Sequence, residues 1–168
     1  LPLVWIIFIK IKKDLRLLIL LVSSLIFYSI SGLIPLIFMI IAILIGFYVA
    51  LLKKIEKKIY LFLSIFPPLI ILFLFKYLNF TLDIVDASKD ARSFFYFFLS
   101  VTLPAGISFY TFQIISYNID VYNKRVKRED NLIKLATYIS LFPQLIAGPI
   151  LRYSQMVEQL NTILIKQK

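Results

Sequence analysis

Polar side chains that could take part in chemistry interrupt one long apolar stretch of this sequence. Residues 93–119 carry no charge, yet they include the hydroxyls of Ser108 and Tyr110 and the amide of Gln113. Polar groups at membrane depth are costly unless they face protein or a water-filled cavity. The sequence therefore indicates that this stretch is functional and does more than anchor the chain.

The spacing of the polar residues would bring them together on one face of a helix. Steps of three to four residues align Tyr110, Gln113, Tyr117 and Asp120, and Ser116 lies beside them. Such a stripe could bind a substrate, but polar residues in helical bundles also form interhelical hydrogen bonds worth about 0.6–2 kcal/mol. Spacing alone favours the packing role, with Asp120 marking the end of the helix.

A second group of polar residues falls in the last apolar run, over residues 138–152. Two prolines and a glycine occur within residues 143–149, so a straight spanning helix would lose several backbone hydrogen bonds there. We expect a broken or re-entrant element that lines a cavity inside the protein. Gln144 and Arg152 would be its polar groups, although Arg152 could equally extend to the lipid headgroups.

The elements that would position these residues are membrane-spanning helices. Of the 168 residues, 61% are hydrophobic and 17% charged, and the mean hydropathy is +0.91, whereas soluble domains are about 45–50% apolar. Gly32 and Pro35 supply a turn within the first and longest uncharged run. The uncharged runs approach or exceed the roughly 17–25 residues that span a bilayer, and they cover 17–52, 59–75, 93–119 and 135–151.

These patterns predict an all-α, multi-spanning integral membrane protein that forms a single domain over residues 1–168. Pro67 and Pro68 should kink or break the helix that contains them, whereas Pro104 fits the first turn of a helix. The expected elements are a partial helix over about 1–9, helices over about 15–31, 33–52, 59–80 and 94–121, and a broken or re-entrant segment over about 131–152.

The net charge of +10 could indicate nucleic acid, since clustered lysines and arginines bind phosphate. The basic residues instead fall between apolar runs, in clusters at 10–16, 53–58 and 124–128, and positive-inside sorting explains this placement more simply. The slightly acidic loop at 81–93 fits the opposite side of the membrane. We therefore predict cytoplasmic basic loops, an external 81–93 loop and no nucleic-acid partner.

Cysteine and histidine are both absent, which limits the available chemistry. No disulfide, thiolate nucleophile or cysteine metal site can form, and the commonest general base and metal ligand near neutral pH is missing. We predict no metal site and assign no catalytic residue. The candidate residues for lining a tunnel or cavity are Ser108, Tyr110, Gln113, Tyr117, Gln144 and Arg152.

Ordered motifs between Leu103 and Arg152 resemble the membrane-bound O-acyltransferase family. They are PAGISFYTFQ at 104–113, SY at 116–117, IDVY at 119–122 and LFPQLIAGPI at 141–150. In this family, the chain looks similar to the bacterial alginate O-acetyltransferase membrane subunit and to the D-alanyl transfer protein of teichoic-acid modification. The resemblance in hydropathy extends over nearly the whole chain.

The resemblance implies a reaction and a set of partners. An acyl group, acetyl or D-alanyl, would leave a cytoplasmic thioester, either acetyl-CoA or the phosphopantetheine of an acyl carrier protein. It would reach a hydroxyl of an exported polysaccharide or cell-envelope polymer. The family also implies a multi-pass location in the bacterial inner membrane, contacts with membrane lipid, a periplasmic or extracellular acyltransferase partner and no tightly bound cofactor.

The essential histidine of the family has no counterpart in this chain, and full-length members are far longer. Acyl transfer to a hydroxyl needs a general base and an oxyanion donor, worth roughly 10²–10⁴ and 10²–10³ in rate. We expect an N-terminal portion of an acyltransferase with a partial family fold, inactive alone and dependent on the missing C-terminal half. The alternative is a small non-enzymatic membrane scaffold or transporter subunit.

Overall fold

The computed structural model describes residues 8–52, 55–85, 89–100, 103–148 and 151–164, and the regular elements in these ranges are all helices. The predicted all-α fold is confirmed. The partial helix expected over 1–9 lies almost entirely outside the described residues. The helices are α1 Lys13–Ser29, α2 Leu33–Leu51, α3 Lys57–Lys76, α4 Leu78–Ile84, α5 Lys89–Phe94, α6 Tyr96–Ser100, α7 Ile107–Tyr122, α8 Leu132–Ser140, α9 Phe142–Ala147 and α10 Tyr153–Leu164.

Two of the described helices, α2 and α3, are long and apolar enough to cross a membrane by length and composition. In the most apolar 18 residues of each helix, only 39% of α2 and 33% of α3 is buried inside the bundle. Large apolar side chains such as Ile37, Phe62 and Phe66 are exposed instead. A core helix of a soluble domain would cover such side chains with protein, so this surface fits a lipid environment.

The helix that carries the polar stripe, α7, packs against both α2 and α3, while α1 packs against α8 and α10. Gly46 allows the close approach of α2 to α7, because a Cβ atom there would lie 2.7 Å from Cγ2 of Ile114. Ile114 is fully buried in the apolar core. The tight contact therefore fixes which face of α7 points into the bundle.

The single helix expected over 94–121 is divided in the structure into α5, α6 and α7. Gly106 forms the N-cap at which α7 begins: its φ of +69° is left-handed, and a Cβ atom there would lie 3.0 Å from the carbonyl oxygen of Leu145. Pro104 does not occupy the first helical turn. It precedes α7, and its carbonyl accepts a hydrogen bond from the backbone N–H of Ile107 at 3.3 Å.

The helix expected over 59–80 also differs from the structure. It ends at Lys76, because Tyr77 departs from helical geometry with φ −114°, and α4 follows directly. Pro67 and Pro68 do not break it, and α3 continues through both residues. Prolines are tolerated in apolar helices whose neighbours stabilise the surrounding turns.

An interruption occurs inside the segment for which a broken or re-entrant element was expected. Asn131 caps the start of α8 by accepting a hydrogen bond from the backbone N–H of Lys134 at 3.3 Å. Leu141 has φ −56° and ψ +106°, which ends α8, and Pro143 then lies in the first turn of α9. The short helix α9 contacts α1, and Gly106 brings it close to the start of α7.

Candidate functional site

The polar stripe of α7 faces the interior of the bundle. Tyr110, Gln113, Tyr117 and Asp120 are all buried, and the Gln113 side chain is only 1% exposed. Close packing at Gly46 holds this face inward. Whether these residues line a tunnel or a cavity stays a prediction, but the structure brings four of the polar groups onto one buried surface.

Several buried polar atoms on α7 and α8 find no hydrogen-bond partner among the described residues. They include Oε1 of Gln113, both amide atoms of Asn118, Oγ1 of Thr111 and Oγ of Ser140. We call these four residues the polar layer. Buried polar groups in proteins are almost always paired with protein, water or ligand, because an unpaired group costs about 1–3 kcal/mol. The polar layer therefore leaves unused hydrogen-bonding capacity at several buried positions of α7 and α8.

Direct contacts tie the polar layer to the surrounding helices. The Tyr60 hydroxyl of α3 donates a hydrogen bond to the backbone carbonyl of Asn118 at 3.0 Å. At the other end of α7, the Tyr110 and Tyr28 rings meet edge to face with centroids 6.4 Å apart. The backbone at Asn118 is thus held by α3, and the Tyr28 ring of α1 packs against α7 at Tyr110.

Ser108 lies at the start of α7 and faces a cation. The Lys76 ammonium donates a hydrogen bond to Oγ of Ser108 at 3.1 Å and sits 5.4 Å from the centre of the Tyr77 ring. This pair is exposed at the edge of the bundle. Ser108 therefore belongs to a different surface from the polar layer.

The other two predicted site residues occupy different environments. Gln144 is buried on α9, next to the leucine that touches Gly106, so α9 places it near the start of α7. The Arg152 side chain is exposed, and its backbone N–H donates to Oε1 of Gln155 at 2.9 Å. The structure does not bring Arg152 into the buried surface.

A charged network closes the opposite end of α7, and Glu129 is its centre. The backbone N–H of Glu129 donates to the Tyr117 hydroxyl at 2.9 Å, and Oε2 lies 2.7 Å from the Lys134 ammonium. The Tyr153 hydroxyl donates to the same carboxylate, and Lys134 also donates to Oδ1 of Asn161 at 2.6 Å. This network joins α7, α8 and α10 through one carboxylate.

Electrostatics keep the Glu129 carboxylate ionised. Burial opposes its ionisation, but hydrogen bonds from Lys134, Tyr153 and the backbone N–H of Asn131, together with the Lys134 charge, lower the pKa of Glu129 overall. Burial, followed by the hydrogen bond to Glu129, raises the pKa of Tyr153, so this hydroxyl remains a donor. A carboxylate held in this way stabilises the fold and is a poor proton acceptor.

Sequence reasoning missed the roles of Glu129, Lys134, Tyr153 and Asn118. Glu129 lies in a strongly basic loop, where a solvated surface acid is the ordinary expectation. Asn118 falls one position beyond Tyr117 and outside the expected stripe, so spacing does not select it. Among the described residues, no group of three or more acidic side chains comes together to hold a metal ion.

Part of the chain is similar in sequence to known O-acetyltransferases. The chain is 44% identical over 103 residues to the probable alginate O-acetylase of Pseudomonas syringae and 43% identical over 103 residues to that of Pseudomonas aeruginosa. The resemblance to the membrane-bound O-acyltransferases is confirmed. A peptidoglycan O-acetyltransferase of Helicobacter pylori is 30% identical over 127 aligned residues. No family model and no solved structure matches the chain significantly.

The match covers a limited part of these acyltransferases. The alignment with each of the two Pseudomonas proteins spans 61% of this chain and 20% of the relative. The alignment with the Helicobacter protein spans 61% of this chain and 24% of the relative. The aligned region thus represents about a fifth to a quarter of the length of these curated relatives.

Proposed function

We propose that this chain is part of a bacterial O-acyltransferase that moves an acetyl group to a hydroxyl of an exported polysaccharide or cell-envelope polymer. The donor is a thioester on the cytoplasmic side, either acetyl-CoA or a carrier-protein phosphopantetheine. In the transfer, the C–S bond of the thioester breaks, a C–O ester bond forms, and the hydroxyl proton passes to the leaving thiolate. Similarity to an alginate O-acetylase and a peptidoglycan O-acetyltransferase supports this assignment.

The polar layer is the observation that carries the proposal. Gln113 and Asn118 are both buried on α7, and each has an unpaired amide atom. Amide N–H groups can donate to an acyl carbonyl and amide oxygens can accept from a hydroxyl. Such groups orient a substrate and stabilise developing charge when water is excluded. We assign to this chain the walls and polar contacts of the acyl-transfer path.

The general base of the reaction belongs to another part of the protein. Two described carboxylates are engaged: Asp120, within the stripe, lies 3.4 Å from the Arg125 guanidinium, and Glu129, which contacts the Tyr117 hydroxyl through its backbone, is paired with Lys134. A histidine-bearing C-terminal portion would supply the base. A periplasmic acyltransferase would complete the route to the polymer. The protein would cross the bacterial inner membrane several times, with the basic loops in the cytoplasm.

The test is a substitution in a complete acyltransferase that contains this chain. Gln113→Leu should lower acetyl transfer to polysaccharide by about tenfold or more, because one transition-state hydrogen bond is worth that much, while the amount of folded protein in the membrane falls less. Gln159→Leu makes the same chemical change at an exposed glutamine of α10 and should leave transfer unchanged. Parallel losses of transfer and of folded protein in Gln113→Leu would instead assign Gln113 to packing.

A further inference from the structure

A cleft of about 660 Å³ opens at the end of α7, in the loop that leads to α8. Its volume falls within the range of roughly 300–1,000 Å³ that is usual for ligand sites. Four cationic side chains and one carboxylate contribute to its lining: Lys124, Arg125, Lys127, Arg128 and Asp130. The excess of positive charge in a concave surface concentrates anions there.

The backbone at the mouth of the cleft is held in a defined conformation. The N–H groups of Lys124 and Arg125 bond back to the carbonyls of Val121 and Asp120 at 3.1 and 2.9 Å, which is the hydrogen-bond pattern of a Schellman cap. Lys124 occupies the left-handed position of this cap with φ +58°, where glycine is the usual residue. A charged side chain therefore stands where backbone geometry alone would favour glycine.

Internal ion pairs compensate the arginines but not the lysines. Arg125 lies 3.4 Å from the Asp120 carboxylate, and Arg128 pairs with Asp130. The side chains of Lys124 and Lys127 have no ion pair or hydrogen bond with any of the residues that the structure describes. Two uncompensated ammonium groups thus face a cleft that also offers two guanidinium groups.

The far side of the loop is anchored to the bundle. The backbone N–H of Glu129 donates to the Tyr117 hydroxyl at 2.9 Å, and the Glu129 carboxylate is fixed by Lys134 and Tyr153. Both ends of the basic segment are therefore fixed, one by the Schellman cap and one by Glu129. A cleft held open in this way loses little conformational entropy when a ligand binds.

We propose that this cleft binds a phosphate-bearing anion through Lys124 and Lys127, with Arg125 and Arg128 as additional donors. Ammonium and guanidinium groups are the side chains that recognise phosphate oxygens. The phosphate can come from the headgroup of an anionic lipid or from a soluble phosphate ester such as coenzyme A. The coenzyme A source rests on the acyl donor proposed above, whereas the lipid source is independent of it, and binding of either ligand is measured without acyl transfer.

The first arm of the test uses coenzyme A as the soluble probe. The whole chain is reconstituted in phosphatidylcholine nanodiscs, and the dissociation constant is measured by isothermal titration calorimetry. Lys124→Gly and Lys127→Gln together should weaken binding by about tenfold or more, and added salt should weaken binding to the unmodified chain. Lys124→Gly relieves the left-handed backbone, so a loss of binding would not arise from misfolding.

Lys57→Gln and Lys58→Gln are the matched controls, because they remove two exposed lysines at the start of α3. The controls should bind coenzyme A as the unmodified chain does. The second arm measures retention of phosphatidylglycerol by native mass spectrometry. Loss of retained phosphatidylglycerol in the Lys124 and Lys127 variants without coenzyme A binding would identify the lipid source. Absence of both ligands from the unmodified chain, or equal losses in the control variants, would overturn the proposal.

Discussion

Replacing Glu129 with glutamine should destabilise the protein far more than removing a neighbouring surface carboxylate. The Glu129 side chain is 14% exposed and its partner Lys134 is 9% exposed, with 2.7 Å between Oε2 and Nζ. Removing one partner of a buried pair costs about 3–5 kcal/mol, because the other charge stays buried. Lys134 keeps its hydrogen bond to Asn161, and glutamine keeps an acceptor for Tyr153. We therefore expect a loss of about 2–3 kcal/mol.

The free energy of unfolding can be measured in mixed micelles by titrating denaturant and following circular dichroism. Asp130→Asn is the matched control, because this acid lies next to Glu129 in the chain and its side chain is 75% exposed in its pair with Arg128. An exposed pair is worth about 0–1 kcal/mol, so Asp130→Asn should change stability little. Equal losses for the two variants would refute the reasoning that Glu129 is the buried hub of the network.

A double-mutant cycle separates the pair from its surroundings. Lys134→Met combined with Glu129→Gln should destabilise less than the sum of the two single changes, with a coupling energy of about 1 kcal/mol or more. Additive losses would mean that the two side chains contribute to stability independently. In that case the interaction between the two side chains would not contribute to the free energy of unfolding, despite the short distance between them.

Further predictions concern pH, packing and topology. Because the pKa of Glu129 is lowered in the folded state, its carboxylate stabilises the protein above the unfolded pKa of 4.5, and this stability is lost as the pH falls through the folded pKa. In Glu129→Gln, the free energy of unfolding should therefore fall less steeply with pH below 4.5 than in the unmodified chain. Gly46→Ala should destabilise by about 1–3 kcal/mol in the same denaturation assay, because its Cβ would lie 2.7 Å from Cγ2 of Ile114. In intact cells, a cysteine at Ser93 should react with an impermeant label and one at Asn123 should not; the reverse pattern would contradict cytoplasmic basic loops.

The helical class and the buried face of α7 could both be predicted from the hydropathy of the sequence and the spacing of its polar residues. Long uncharged runs can satisfy their backbone in an apolar environment only as helices. The 3.6-residue repeat then places Tyr110, Gln113 and Tyr117 on one side of the helix, and all three are buried in the structure. Both properties are local, so a single sequence is sufficient to derive them.

The division of the expected 94–121 helix could not be derived in the same way. A glycine inside an apolar run costs only about 1 kcal/mol in a helix, so composition does not show that a new helix begins after Gly106. In the structure Gly106 is left-handed and forms the N-cap of α7, and a Cβ atom there would lie 3.0 Å from the Leu145 carbonyl oxygen. This close approach joins residues that are far apart in the chain, so it cannot be predicted from the hydropathy of the sequence around Gly106.

The Glu129 network depends on contacts of the same long-range kind. Tyr153 follows Glu129 by 24 residues, and Asn161 follows Lys134 by 27. Neither spacing has a periodicity that identifies partners. The packing of α7, α8 and α10 brings these residues together, and no local pattern in the sequence predicts an ion pair whose side chains are only 9% and 14% exposed.

Transfer of a labelled acetyl group to a polysaccharide acceptor tests the central proposal most directly. The purified chain should transfer no acetyl group from acetyl-CoA or from a charged carrier protein, because it contains no histidine and the carboxylates of Asp120 and Glu129 are ion-paired. Co-expression with a histidine-bearing C-terminal portion of an acyltransferase should produce transfer above a heat-treated control. Transfer by the chain alone would contradict the proposal that the general base lies in the C-terminal portion. Absence of transfer in both preparations would contradict the acyltransferase role.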